Sequence, residues 1–179
     1  KNENSKIYII LSYSGTFLSR IIKAYTRGEF SHVSIALDKN LERMYSFGRK
    51  NPYNPLYAGF VREGINFGTF KRFKNTLVEI YSLELTNEEY DIIENIIKKM
   101  EESQNIYTFN IVGLFANAFN IKYKVKGSFY CAEFLKFLLD EAHLSFGLPE
   151  LVKPMDFRKP DLMNLEYRGL LRLYRPNKN

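Results

Sequence analysis

Segments with strand-like and helix-like patterns follow one another in blocks along this chain, and this order is the feature that most constrains its fold. Short runs rich in β-branched and aromatic residues recur through the first half, and the longest helical patterns come after Thr86. Strict alternation would favour a parallel sheet, whereas segregation favours an antiparallel sheet with helices packed on it. We therefore predict an α+β fold, an antiparallel sheet flanked by helices.

Six segments have the composition of strands. The polar turn Asp38-Lys39-Asn40 joins the second of them to the third. The two Asn-Pro pairs at 51–55 indicate a loop, because the residue before a proline disfavours helix. The predicted strands are 6–12, 32–37, 41–48, 62–66, 77–85 and 167–174.

Helices are indicated by capping residues and by apolar residues at helical spacing. Thr16 is a predicted N-cap for a helix that ends at Gly28, and Thr86 with Glu89 forms a capping box at the start of the clearest helix. Further helices are predicted near 110–119 and from Cys131 onward.

Length and composition predict one globular domain spanning 1–179, since 45% of the 179 residues are apolar. The single cysteine excludes an internal disulfide, and a free thiol suits a reducing compartment. No apolar run approaches the 18 residues of a membrane span, and the start of the chain is polar. From these features we expect no signal peptide, no transmembrane segment and a cytoplasmic location.

The formal net charge is +6, and the excess is concentrated at 71–74, 122–126 and 168–178. Such clusters either form a solvated basic face or contact an anionic surface. No nucleic-acid-binding motif accompanies them, so we expect no nucleic-acid partner.

The lone cysteine, Cys131, opens an apolar helical pattern that follows Ser-Phe-Tyr. The positive end of a helix dipole favours a thiolate, and a nucleophilic thiolate needs a partner imidazole. His143 lies twelve residues further along the same predicted helix, about 18 Å away. His32, 99 residues before the cysteine, is therefore the predicted base. The alternative is that Cys131 is a small buried apolar side chain.

A third polar group should orient the imidazole. If Leu37 faces Leu41 across a three-residue turn, then His32 lies opposite Ser46, which makes Ser46 the first candidate. A shift of one residue in this register would change the partner. Glu63 is the second candidate, and its alternative is a solvent-facing side chain beside Arg62.

The sequence contains no motif typical of metal or nucleotide binding. The chain has no HExxH motif, no paired cysteines, no glycine-rich phosphate loop and no carboxylate-rich calcium loop. We therefore predict neither a metal nor another cofactor. Glu133, in the first turn of the Cys131 helix, is interpreted as a structural residue that complements the helix dipole.

Several short motifs together resemble a known family. A strand, a Ser-x-Gly turn and a helix precede Phe-Ser-His-Val at 30–33, Tyr-Cys-Ala-Glu follows at 130–133, and Val-Lys-Pro-Met-Asp at 152–156. Their order and spacing resemble the YiiX-like, circularly permuted papain-fold cysteine hydrolases of the NlpC superfamily. The resemblance implies Cys131 as nucleophile and His32 as base. It places the third polar residue on the strand after the histidine, where Ser46 is the nearest match.

The chemistry and the resemblance together favour a thiol hydrolase that cleaves an amide or ester through an acyl-enzyme on Cys131. The resemblance implies cell-wall peptides, acyl-amino acids or lipids as substrates. Two alternatives stay open at this point. One is an acyltransferase similar to the lecithin:retinol acyltransferase-like relatives, and the other is a non-catalytic binding module with the same fold.

Overall fold

A computed structural model describes residues 5–103 and 106–176 of the chain. Within them, eight strands form one sheet: β1 (Ser5–Tyr13), β2 (His32–Ala36), β3 (Met44–Asn51), β4 (Asn54–Glu63), β5 (Leu77–Leu85), β6 (Thr108–Phe109), β7 (Ser128–Phe129) and β8 (Asn164–Leu170). Their spatial order is β7-β6-β4-β3-β2-β1-β5-β8. The β6–β7 pair is parallel and the other pairs are antiparallel. The α+β prediction is confirmed, with a mixed rather than wholly antiparallel sheet.

Five α-helices accompany the sheet in the described ranges: α1 (Phe17–Thr26), α2 (Gly68–Arg72), α3 (Asn87–Glu102), α4 (Ile111–Ala118) and α5 (Cys131–Glu141). Two predicted caps are present. The Thr16 hydroxyl accepts the Ser19 N–H at 3.1 Å, and Thr86 and Glu89 form a reciprocal capping box at the start of α3. Each cap satisfies backbone groups that the helix cannot satisfy internally.

The larger core lies between one face of the sheet and helices α3 and α5. An aromatic cluster of Phe47, Phe60, Phe129 and Phe134 joins β3, β4 and β7 to the first turn of α5, with ring centroids 5.0–6.5 Å apart. Each buried phenylalanine contributes about 1.5–3 kcal/mol of transfer free energy. This cluster fixes where the start of α5 meets the sheet, and Cys131 is the first residue of that helix.

A smaller core covers the opposite face. It contains Ile10 and Ile80 from the central strands, Phe70 from α2, and Leu171 and Tyr174 from the segment after β8. Both faces of the central strands are therefore covered. This explains why β1 has an unbroken apolar run from Ile7 to Leu11 rather than an alternating pattern.

The β3–β4 hairpin differs from the sequence prediction. The predicted loop 51–55 shrinks to a tight turn at Pro52 and Tyr53, and β4 extends from Asn54 to Glu63, where the predicted strand was 62–66. Pro55 is tolerated within β4 because only Gly59 of this strand pairs on the side away from β3. The extension brings the end of β4, and Glu63 with it, alongside β3.

The β2–β3 register also differs from the prediction, and the cause is a longer connection. The Asp38 carboxylate accepts the N–H groups of Glu42 at 3.1 Å and Arg43 at 2.6 Å. The Leu37 N–H donates to the Arg43 carbonyl at 3.0 Å, so Leu37 does not face Leu41. The observed pairs are Ile35 with Tyr45 and Ala36 with Met44.

Both ends of the last strand lie earlier in the chain than predicted. β8 spans Asn164–Leu170 rather than 167–174, and a short 3-10 turn, Leu171–Leu173, ends it. No helix in the described ranges has both the length and the apolar character needed to cross a bilayer. Residues 1–4 of the polar start and 177–179 of the basic tail lie outside the described residues.

Candidate active site

The fold brings together the histidine and the cysteine that are distant in the sequence. His32 is the first residue of β2, and Cys131 is the first residue of α5. Both side chains line the same cleft, and they are close enough for Cys131 to help raise the pKa of His32. Cys131 is only 4% exposed, whereas the His32 side chain is 24% exposed. The thiol is thus reached through a cleft rather than from an open surface.

His143 takes no part in this site. It lies two residues beyond the end of α5, at the opposite end of the helix from Cys131, in a left-handed turn with φ of 59°. An 11-residue helix separates its ends by about 16 Å. His32 is consequently the histidine that meets the thiol, as the spacing argument predicts.

Glu63 is the residue that contacts the second side of the imidazole. Its two carboxylate oxygens each lie 3.3 Å from His32 Nε2. The Ser34 hydroxyl donates to Glu63 Oε1 at 2.6 Å, which holds the carboxylate in place.

The electrostatics of this pair favour a charged imidazole. Burial lowers the pKa of His32, but the Glu63 carboxylate and the hydrogen bonds to Cys131 and Glu63 outweigh it and raise that pKa to about 10. Burial raises the pKa of Glu63, but the His32 charge and the hydrogen bonds from His32 and Ser34 outweigh it, so the pKa is lowered. At neutral pH the pair therefore favours an imidazolium beside the Glu63 carboxylate.

Ser46, the first sequence candidate for the orienting group, does not contact the imidazole nitrogens. Its side chain is fully buried and its hydroxyl makes no hydrogen bond of ordinary geometry, although it lies close enough to help lower the pKa of Glu63. Continuing the observed register places Gly48, not Ser46, beside His32. A Cβ built on Gly48 would lie 3.3 Å from His32 Cε1, so a bare glycine leaves room for the ring.

A cleft opens beside these groups and holds about 80 Å³ of space for the centre of a water molecule. Hydroxyl groups and apolar side chains share its walls, and Arg49 adds a positive charge. Its lining includes Ser12, Ser14, Thr16, Leu18, Ile22, Ser31, His32, Phe47, Gly48, Arg49, Glu63, Phe109, Leu114 and Cys131. The Ser31 hydroxyl is buried and has no hydrogen-bond partner among the described residues.

Tyr13, Tyr130 and Glu133 lie near the site but are not among the residues that line the cleft. The Tyr130 hydroxyl donates to the Val152 carbonyl at 3.1 Å and accepts from Asn117 at 3.2 Å, inside the core. The Glu133 carboxylate accepts the Tyr130 N–H at 3.4 Å. Tyr13 packs under the Lys23 ammonium, 4.3 Å from its ring centroid. The contacts of Tyr130 and Glu133 fix the entry of the chain into α5, and the Tyr13 contact joins the end of β1 to α1.

Sequence reasoning ranked Glu63 second because Arg-Glu-Gly at 62–64 has the pattern of an exposed strand end. The missed signal was the length of the β3–β4 hairpin. The turn at Pro52 and Tyr53 pairs Asn51 with Asn54, and an irregularity between Arg49 and Asn51 then shifts the register so that Met44 pairs with Glu63. That register brings the carboxylate to the face that carries Ser34 and His32.

The described residues hold no group of three or more His, Cys, Asp or Glu side chains arranged to bind a metal. In comparisons with protein-family models, with curated proteins and with solved structures, none matches this chain. The geometry of the site is therefore the basis for its function: a thiol, an imidazole and a carboxylate lie side by side in that spatial order.

Proposed function

We propose that this protein is a thiol hydrolase that cleaves an amide or ester bond through an acyl-enzyme on Cys131. The observation that supports the proposal most directly is the arrangement of His32. Its imidazole lines the same cleft as the Cys131 thiol, is close enough for Cys131 to help raise its pKa, and lies 3.3 Å from the buried Glu63 carboxylate. A nucleophile, a base and a group orienting the base are the three parts that nucleophilic acyl transfer requires.

The reaction would proceed in two balanced steps. The thiolate of Cys131 attacks the carbonyl carbon, the bond to the leaving group breaks, and the imidazolium of His32 gives its proton to the leaving nitrogen or oxygen. Water then attacks the thioester. The neutral imidazole takes a proton from that water, the carbon–sulfur bond breaks, and release of the acid regenerates the thiolate of Cys131 and the imidazolium of His32.

Charge on the tetrahedral intermediate would be stabilised by the start of α5. The first N–H groups of a helix have no partner within the helix, and they point toward a substrate held at its N-terminus. Cys131 is the first residue of α5 and lines the cleft. A carbonyl attacked by its sulfur therefore comes close to these N–H groups.

The fold proposed for this site is the circularly permuted papain-like arrangement. Two features support it: the histidine strand precedes the nucleophile helix in the chain, and the cysteine opens a helix that packs across the sheet. The substrate range implied by the family resemblance, cell-wall peptides, acyl-amino acids or lipids, belongs to the same proposal.

Acyl transfer to an acceptor other than water is the second candidate. The apolar part of the cleft lining favours acyl transfer, since Leu18, Ile22 and Leu114 could hold an acyl chain beside the thiol. Transfer and hydrolysis share the first step and differ only in the second. Product analysis with and without an added amine or alcohol separates them.

The test of the shared first step uses p-nitrophenyl acetate as an activated ester. We expect one acetyl group on Cys131, located by peptide mass spectrometry, and none there in Cys131→Ala. His32→Ala should slow acetylation of Cys131 by about 10²–10⁴-fold. His143→Ala is the matched control, because it removes the only other histidine and should leave the rate unchanged.

If His32→Ala acetylates Cys131 as fast as the wild type, the proposed function is wrong. The site would then be that of a binding module with a buried thiol. Circular dichroism of each variant checks that the fold is retained.

A further inference from the structure

Arg49 brings a positive charge into the cleft that no carboxylate there balances. It follows Gly48 directly on β3 and lines the same cleft as His32 and Cys131. The acidic residue in the lining, Glu63, is already paired with His32. The ion pairs found in the described ranges include neither Arg49 nor its neighbour Arg72.

A second arginine is held against the first. Both guanidinium groups donate to the same acceptor, the Pro52 carbonyl, with Arg49 Nη1 at 3.4 Å. Both also lie over the Phe73 ring, with Arg49 Cζ 5.5 Å and Arg72 Cζ 4.9 Å from its centroid. Burial and the charge of Arg72 lower the pKa of Arg49. Two cations on one acceptor repel each other, and a bound anion would relieve that repulsion.

The donors of this arginine pair exceed the protein acceptors they meet. Each guanidinium carries five N–H donors, and a single carbonyl satisfies few of them. Deeper in the cleft, the Ser31 hydroxyl is buried without a partner among the described residues. The buried, unpartnered Ser31 hydroxyl indicates a missing ligand, and the free donors of Arg49 in the same cleft suit a ligand with acceptor oxygens.

We propose that Arg49, supported by Arg72, binds an anionic group of the substrate beside the Cys131 thiol. The group is a carboxylate or a phosphate, because planar guanidinium groups bind these two oxyanions with paired hydrogen bonds. The proposal rests on the thiol chemistry proposed above and adds the class of substrate. The molecule that is cleaved carries a negative charge close to its scissile carbonyl.

The test compares two alkylating reagents of similar size that differ in charge, iodoacetate and iodoacetamide. Both replace iodide with the Cys131 sulfur, so their rate ratio reports attraction of an anion to the site. We expect Arg49→Gln to lower the iodoacetate-to-iodoacetamide ratio about tenfold, and an effect of the lost charge on the thiol itself changes both rates and cancels in the ratio. Lys71→Gln, an equal change of charge in α2 at a residue outside the cleft lining, should leave the ratio unchanged.

Competition by inorganic phosphate or acetate at constant ionic strength identifies the group. Stronger protection of Cys131 by phosphate assigns a phosphate, and stronger protection by acetate assigns a carboxylate. Arg49→Lys, which keeps the charge but loses the fork of donors, should recover part of the ratio. An equal ratio in the wild type and Arg49→Gln, or no protection by either anion, would overturn the proposal.

A different experimental result would show that the hydrolase proposal, rather than the anion site, is wrong. A thiol that reacts with neither reagent, or reacts equally in His32→Ala, contradicts the hydrolase. The anion site is then judged by calorimetric titration of inorganic phosphate and of acetate into Cys131→Ser, with and without Arg49→Gln. Binding that Arg49→Gln abolishes supports the site, and binding of neither anion to Cys131→Ser refutes it.

Discussion

The charge state of His32 is controlled by a residue from another strand. Glu63 lies 31 positions further along the chain and reaches Nε2 from the end of β4. A carboxylate at this distance favours the imidazolium, and its low exposure of 9% reduces screening by water. The same contact holds the ring in one orientation within the cleft that it shares with Cys131.

The variant Glu63→Gln separates charge from shape at this position. We expect the pKa of His32 to fall from about 10 by roughly 2 pH units or more, because burial then acts without the carboxylate. NMR titration of the imidazole C–H signals measures this, with His143 as a reference in the same sample. Ser46→Ala should leave the pKa of His32 nearly unchanged. The opposite pattern would assign the orienting role to Ser46.

At the scale of elements, the connection between β2 and β3 decides which residues meet at the site. Asp38 caps two backbone N–H groups of this connection, and the capped geometry pairs Leu37 with Arg43. Because register is set by the turn, this carboxylate determines that Gly48 rather than Ser46 lies beside the imidazole. A bulkier residue there would displace the ring.

Removing this cap should weaken the hairpin. We expect Asp38→Ala to lower the free energy of unfolding by about 1–2 kcal/mol, and Asp38→Asn by about half as much, since the amide keeps one acceptor oxygen. Urea denaturation measures both. Glu42→Ala removes an exposed carboxylate from the same connection and serves as the control. Equal stability of Asp38→Ala and Glu42→Ala would show that the Asp38 bonds contribute nothing.

At the scale of the whole molecule, the His32–Glu63 pair links stability to pH. The raised pKa of His32 contributes stability that is fully present below its unfolded value of 6.5 and is lost as pH rises through about 10. The lowered pKa of Glu63 contributes stability that is present above 4.5 and is lost as pH falls through its folded value. Both contributions to stability are therefore fully present between pH 4.5 and pH 6.5.

The double variant His32→Gln, Glu63→Gln should therefore show its largest loss of stability, relative to the wild type, at about pH 5–6. The loss should shrink steadily as pH rises from 6.5 to about 10 and shrink again under acid conditions. Urea unfolding at intervals across this range measures the difference. A difference that stays constant with pH would mean that the pair is not ionised as described.

The sequence by itself determined the elements that carry the chemistry. The β-branched runs predicted β1, β2 and β5, the caps at Thr16 and Thr86 predicted the starts of α1 and α3, and the position of Cys131 predicted a thiol at a helix start. These features depend on local propensity and capping, which neighbouring residues decide. The elimination of His143 needed only the rise of a helix.

The tertiary structure alone decided the contacts between elements. Strand register is set by the two-residue turn at Pro52 and Tyr53 and by the Asp38 connection. A shift of one residue would point each side chain to the opposite face of the sheet. Those registers placed Glu63 against His32, Gly48 beside the ring and Arg49 in the cleft. Such contacts join residues far apart in the chain, and their energy comes from packing and burial that no local pattern encodes.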